Sequence, residues 1–169
     1  MGTIGTMVAP SLVAVMRLAD LLVQDIPALE FGRMPEGVMT NSPAFCFGHL
    51  AIYPDRLLEM VGRGDLAAPD ERFVELFAAG KDCVDDPRGT VYPSKDVIVE
   101  RFRARHTALV GVLADVPDEV MSRGNPQEKY RDRFPTIGAM VVFLVCAHPM
   151  LHLGQVSAWR RIKGMPSAM

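Results

Sequence analysis

The sequence predicts an all-α protein, a four-helix bundle with long crossover loops and a short extra helix. Three observations carry this. Apolar residues recur at spacings of three and four in four long segments, the period of a helix with one buried face. No segment shows convincing strand alternation. The stretches between are punctuated by glycine and proline, and two of them are too long for a simple up-down-up-down bundle. Apolar residues at 49% and charged residues at 22% suit one folded domain over residues 1–169.

The first helix is expected from about Pro10 to Asp25, with Leu12, Val15, Ala19, Leu22, Val23 and Ile26 on one stripe. Pro10 suits a first helical position and Pro27 stops the helix. A loop then follows through residues 31–39. The second helix has a clear start, with Asn41 or Ser42 as cap and Pro43 in the first turn. Its face is Cys46, His49, Leu50, Tyr53, Leu57, Met60 and Val61. Pro54 lies inside this pattern and should bend the helix or shift its pairing. Pro69 and Asp70 start the short extra helix, which Gly80 ends, and a long loop runs through residues 81–94. Ser94 caps the third long helix, whose stripe is Ile98, Phe102, Arg105 or His106, Leu109 and Val112 or Leu113. Pro117 ends it. One turn of helix and a polar loop precede the last helix, expected from about Thr136 to Lys163. That helix is apolar nearly all round from Val141 to Ala147, which suits a central position or a subunit interface.

Composition narrows the function. The net charge is −2 and the isoelectric point about 6.1, which argues against a nucleic-acid binder that works by neutralising phosphates. The N-terminal apolar run has no basic residue before it and is interrupted by Arg17 and Asp20, so neither a signal peptide nor a membrane span is expected. Cys46, Cys83 and Cys146 are an odd set of three, which points to a reducing cytoplasm and not to a disulfide framework. The eleven methionines read as core filler.

The chemistry-bearing pattern is in the four histidines, His49, His106, His148 and His152. His148 and His152 stand four apart on the last helix, roughly 40° around its axis and one turn along it, so both rings can reach one metal ion. The glutamate that accompanies such pairs in zinc proteases is missing, because Pro149 follows His148. His49 is the third candidate. Three neutral imidazoles from two helices would leave coordination positions open, which is the catalytic arrangement. Spacing alone also allows His49 to be a core histidine bonded to a backbone carbonyl. His106 stands outside any motif and reads as a core or surface residue.

The segments NSPAFCFGHLAIYPDRLLEMVG and HPMLHLGQVSAWRRIKGMP resemble the second and fourth helices of the DinB/YfiT-like family. A capped, proline-containing start before G-H-L-A, and H-x-x-x-H-x-G-Q before a basic residue and Gly-x-Pro, carry the resemblance. It implies an up-down-down-up bundle, a homodimer, and a divalent metal held by His49, His148 and His152. Zinc or nickel is the first expectation, with iron or manganese as alternatives. Active members pair the metal with a low-molecular-weight thiol, as in bacillithiol and mycothiol S-transferases and a mycothiol-dependent maleylpyruvate isomerase. The resemblance therefore implies a cytoplasmic thiol S-transferase acting on a small electrophile. A metal-dependent hydrolase or isomerase, and a non-catalytic metal-binding or stress-response interaction protein, are the alternatives.

Further residues are placed around this expected site. Cys46 shares the His49 face and is a candidate for the pocket wall, as a small buried hydrophobe rather than a fourth ligand. Tyr53 is divided between a substrate contact and packing. Gln155 is a partner of a ligand or a structural cap, with the structural role preferred. Asp55 points away from the histidines, and Cys146 belongs to the core. Arg101, Arg103 and Arg105 read as a solvated face, Trp159 as packing at a helix end, and Arg160 as solvated charge. Pro149 is the departure from the family pattern. It removes the amide that would bond Val145 and crowds that carbonyl, so a kink or bulge that re-aims the two rings is expected.

Overall fold

The computed structural model describes residues 2–168. The helices are α1 (Thr3–Val23), α2 (Pro43–Leu50), α3 (Tyr53–Met60), α4 (Glu71–Phe77), α5 (Lys95–Leu113), α6 (Asp118–Met121), α7 (Ile137–Val142) and α8 (His148–Ile162). No strand forms among the described residues, only an isolated antiparallel bridge between Gly124 and Thr136. The expected helical bundle is present. Its four columns are α1, α2 continued by α3, α5, and α7 continued by α8. α1 packs on α5 and α8, and α2 packs on the same two. The seam between them is filled by Leu12, Phe47, Phe102, Val145 and Trp159, all within 1% of full burial.

α1 starts at Thr3 and not at Pro10, which lies inside it. The start is set from a distant part of the chain. The Asp118 carboxylate accepts the Thr3 and Ile4 amides at 2.9 and 3.1 Å, satisfying donors that a helix cannot satisfy itself. Gly5 makes this docking possible, since a Cβ there would stand 1.8 Å from the Leu113 carbonyl oxygen. Pro54 breaks the second column outright. Leu50 ends α2, Ala51 and Ile52 form a turn, and Tyr53 starts α3. Ser42, Asp70, Ser94 and Thr136 cap α2, α4, α5 and α7 through their side-chain oxygens.

The long loop 81–94 is built around Asp86, whose carboxylate accepts amides from Thr90, Val91 and Tyr92. Its own amide bonds the Gly32 carbonyl, so the loop is tied to the first connection.

Two polar assignments from the sequence are corrected. Arg101 and Arg105 are not a solvated face. They converge on buried Asp55, at 3.3 and 2.7 Å, and each also reaches a backbone carbonyl in the connection after α3. Only Arg103 faces outward, paired with exposed Asp20. Arg160 is not solvated charge either. It is buried and grips the Leu22 carbonyl, the Asp25 carboxylate and the Pro166 carbonyl. Both errors have one cause: the charge pattern along a helix does not reveal an acid arriving from another segment.

Thr3–Val23 and Ile137–Ile162 are long and apolar enough to cross a membrane by length and mean hydropathy. Each places its apolar stripe in the bundle core, at Leu12, Val15 and Ala19 and at Val145, Leu153 and Val156.

Candidate metal centre

His49 occupies the last turn of α2, and His148 and His152 the first two turns of α8. All three are at least nine-tenths buried. One ligand nitrogen from each falls within 4.8 Å of the others. The ring centroids are 5.1 Å apart for His49 and His148, and 4.7 Å for each of the other pairs. The structure therefore brings together the three histidines that the sequence singled out. His106 is elsewhere, a core histidine whose Nδ1 bonds the Phe102 carbonyl at 2.7 Å.

Each ring is aimed by its surroundings. The His49 Nδ1–H donates to the Phe77 carbonyl at 2.6 Å, which leaves the Nε2 lone pair facing the other rings. The residue before it explains how that carbonyl comes so close. A Cβ at Gly48 would meet the Phe77 ring at 2.6 Å, so only glycine lets α4 press against α2 here. His152 Nδ1 donates in the same way to Gln155 Oε1 at 2.9 Å. That oxygen also accepts the Asn41 amide at 3.1 Å and lies 3.5 Å from Cys46 Sγ, which fixes the orientation of the Gln155 amide. Partners of this kind set the tautomer of a ligating imidazole.

His49 Nε2 and His148 Nε2 stand 3.2 Å apart. Two nitrogens sharing one tetrahedral zinc at about 2.0–2.1 Å would be about 3.3 Å apart. His148 Nδ1 is buried without a hydrogen-bond partner among the described residues. The Nε2 pair is within hydrogen-bond distance, and with both nitrogens unprotonated it is also the spacing at which two rings share one cation. The residues present fit a metal ion.

The electrostatics agree. Burial lowers the His49 pKa to about 4, against the opposing bond to Phe77. Burial and the two neighbouring rings take His148 down to about 3. Burial also lowers His152, opposed by Gln155. All three imidazoles are thus neutral at neutral pH, the form that ligates.

Pro149 does produce a bulge. A π-turn over Phe143–Ala147 separates α7 from α8 and ends immediately before His148. The wider turn absorbs the residue whose amide is missing. The two rings still converge on one point, so the bulge re-aims the helix without dispersing the histidines.

Tyr53, four residues after His49, keeps the site in reach across the break between α2 and α3. Its hydroxyl is 3.2 Å from His49 Nε2 and its ring packs edge-on to His148 at 4.6 Å. Burial raises its pKa, so it stays a phenol and can donate a hydrogen bond. Cys46 is fully buried, its thiol pKa is pushed up by burial, and it stands outside the histidine group. It behaves as the small hydrophobe expected. Cys146 is half-buried against the core. Asp55 is committed to Arg101 and Arg105 and offers the histidines no base.

Sequence reasoning allowed a backbone carbonyl on His49 without identifying Phe77, and did not foresee the Asn41 contact to Gln155 or a cavity of about 180 Å³ beside His148. That cavity is walled by Tyr53, Arg56, Tyr130, Arg133, Phe134 and Phe143, among others. The loop over residues 122–135 read only as polar, and a loop's return path is not written in its own residues.

A family model described as the DinB superfamily matches residues 12–156. Comparison with curated proteins gave no match. Comparison with solved structures gave none either.

Proposed function

The chain belongs to the DinB superfamily, and on that premise we propose that its histidine cluster is the metal centre of a thiol S-transferase. The observation that carries this is the donor set: three neutral, buried imidazoles, two of them held by their far nitrogens, beside an open cavity. Three imidazoles suit zinc, nickel, iron and copper alike, and the family resemblance puts zinc or nickel first. A divalent ion held by three uncharged ligands keeps its full charge, and so supplies a thiol as thiolate at neutral pH.

The chain's own residues would do the rest. The Phe77 carbonyl and Gln155 hold His49 and His152 in the ligating tautomer. Tyr53 places a hydroxyl at the edge of the cluster, where it can donate to an anion forming on the substrate. Phe134 and Phe143, whose rings stack at 4.5 Å, exclude water from the side where an electrophile would enter. The thiol sulfur bonds to the electrophilic carbon, the leaving group departs with its electron pair, and the thiol proton passes to solvent.

A hydrolase reading is weaker, because it wants a carboxylate base and the cluster has none among the described residues. We place the enzyme in the cytoplasm as a homodimer. Val142, Met150 and Leu151, exposed on the last column, support a subunit contact. The test is turnover of a chromogenic electrophile with a panel of thiols by metal-loaded protein. Turnover that needs both thiol and metal, and that His152→Ala abolishes, is expected. No turnover with any thiol at any metal would leave the non-catalytic alternative.

A further inference from the structure

We infer that the cavity beside His148 binds a small organic anion, a carboxylate on an apolar body, through Arg56 and Arg133. This deepens the S-transferase reading and rests on it for calling that ligand a substrate. The binding itself does not depend on it.

The chain treats its arginines in two ways. The most buried ones, Arg101, Arg105 and Arg160, spend their guanidinium groups on carboxylates and backbone carbonyls. Arg56 and Arg133 line one cavity, and neither side chain has an ion pair or hydrogen bond among the described residues. Arg56 lies over the Tyr53 ring, 5.4 Å from its centroid. Tyr53 in turn touches His49 and His148. One aromatic ring therefore separates an uncommitted guanidinium from the metal centre.

No aspartate or glutamate lines this cavity. In a chain of net charge −2, a pocket with two cations and no acid is selective for a negative ligand. Guanidinium recognises carboxylate by paired N–H···O bonds, which fixes orientation as well as charge. The remaining wall is mostly apolar and aromatic, from Tyr130, Phe134, Met140, Phe143 and Leu144. At about 180 Å³ the cavity is smaller than the roughly 300–1,000 Å³ of pockets for drug-sized ligands, so the body of the anion is small. Such a ligand would lie with its charge at the arginines and its body toward His148.

The test uses benzoate and its neutral isostere benzamide as probes, with binding followed by calorimetry. The full chain is measured after chelation and again after loading with zinc. Benzoate should bind at least tenfold more tightly than benzamide in both forms, and the preference should shrink as salt is raised. It should be lost in the Arg56→Gln, Arg133→Gln double variant, which keeps the zinc stoichiometry and thermal transition of the parent. Equal binding of the two probes, binding of neither, or a preference that survives both substitutions would overturn the inference. Zinc content separates this from the function proposed above. A chain that prefers benzoate yet takes up no zinc refutes the S-transferase reading alone. A chain that takes up zinc but does not discriminate refutes the anion site alone.

Discussion

The bundle buries two polar clusters, and they are solved in opposite ways. Around Asp55, two arginines, the Ala68 amide and two backbone carbonyls bond one another, and all three charged side chains are at most 18% exposed. Around His49, three neutral rings bring one nitrogen each to within 4.8 Å of the others, and the Nδ1 of His148 is left without a partner. The first cluster pairs all three of its charges within the chain, with Arg101 Nε alone left without a hydrogen-bond partner, and pins α3, the connection after it, and α5 together. The second holds no charge of its own and has room for a cation among its nitrogens. Buried charges neutralised within the chain read as architecture, and buried neutral ligand atoms gathered at one point read as a binding site.

This contrast can be broken by substitution. Asp55→Ala should have the largest effect on the fold, about 3–5 kcal/mol, because it strands two buried guanidinium groups. Denaturant unfolding of the metal-free protein measures it, and the histidines of the folded fraction should still take up metal. A loss under 1 kcal/mol would mean that water reaches the arginines. Gly48→Ala should cost about 1–3 kcal/mol by overpacking, since the new methyl displaces the Phe77 ring. It should also weaken metal binding, because the carbonyl that orients His49 moves with Phe77. Calorimetric unfolding and a competition titration of metal would report the two effects separately.

Smaller changes sharpen the comparison. Gln155→Leu should leave the fold nearly unchanged and weaken metal affinity about 10–100-fold, the usual result of removing the partner of a ligating histidine. His106 supplies the control, a histidine buried for structure alone. Burial holds its pKa at about 4, so below its ordinary value of 6.5 the unfolded chain binds a proton that the folded chain does not. Stability should therefore fall as pH drops from 6.5 toward 4, and His106→Phe should reduce that slope by about one proton. An unchanged slope in chemical denaturation across this range would contradict the assignment.

Much of the site was legible because its chemistry sits in local spacing. The i,i+4 pair at His148 and His152, and the capped start that leads into His49, are short-range patterns, and helix periodicity gave the columns that carry them. What was hidden depends on a second segment. The α1 start at Thr3 needs Asp118, the role of Arg160 needs Asp25, and the tautomer of His49 needs Phe77. Pro149 is the instructive case. The sequence showed that an amide was missing and pointed to a kink or a bulge. It did not show that the π-turn would fall just upstream of His148 and leave the rings convergent.

The central claim is that the histidine cluster is a metal site, and metal content tests it most directly. The chain would be purified without a polyhistidine tag, incubated with zinc or nickel, freed of excess ion and analysed by elemental mass spectrometry beside His152→Ala. The account predicts close to one equivalent in the parent and close to none in the variant, with both folded by circular dichroism. Metal-free parent protein after incubation, or equal metal in parent and variant, would contradict it.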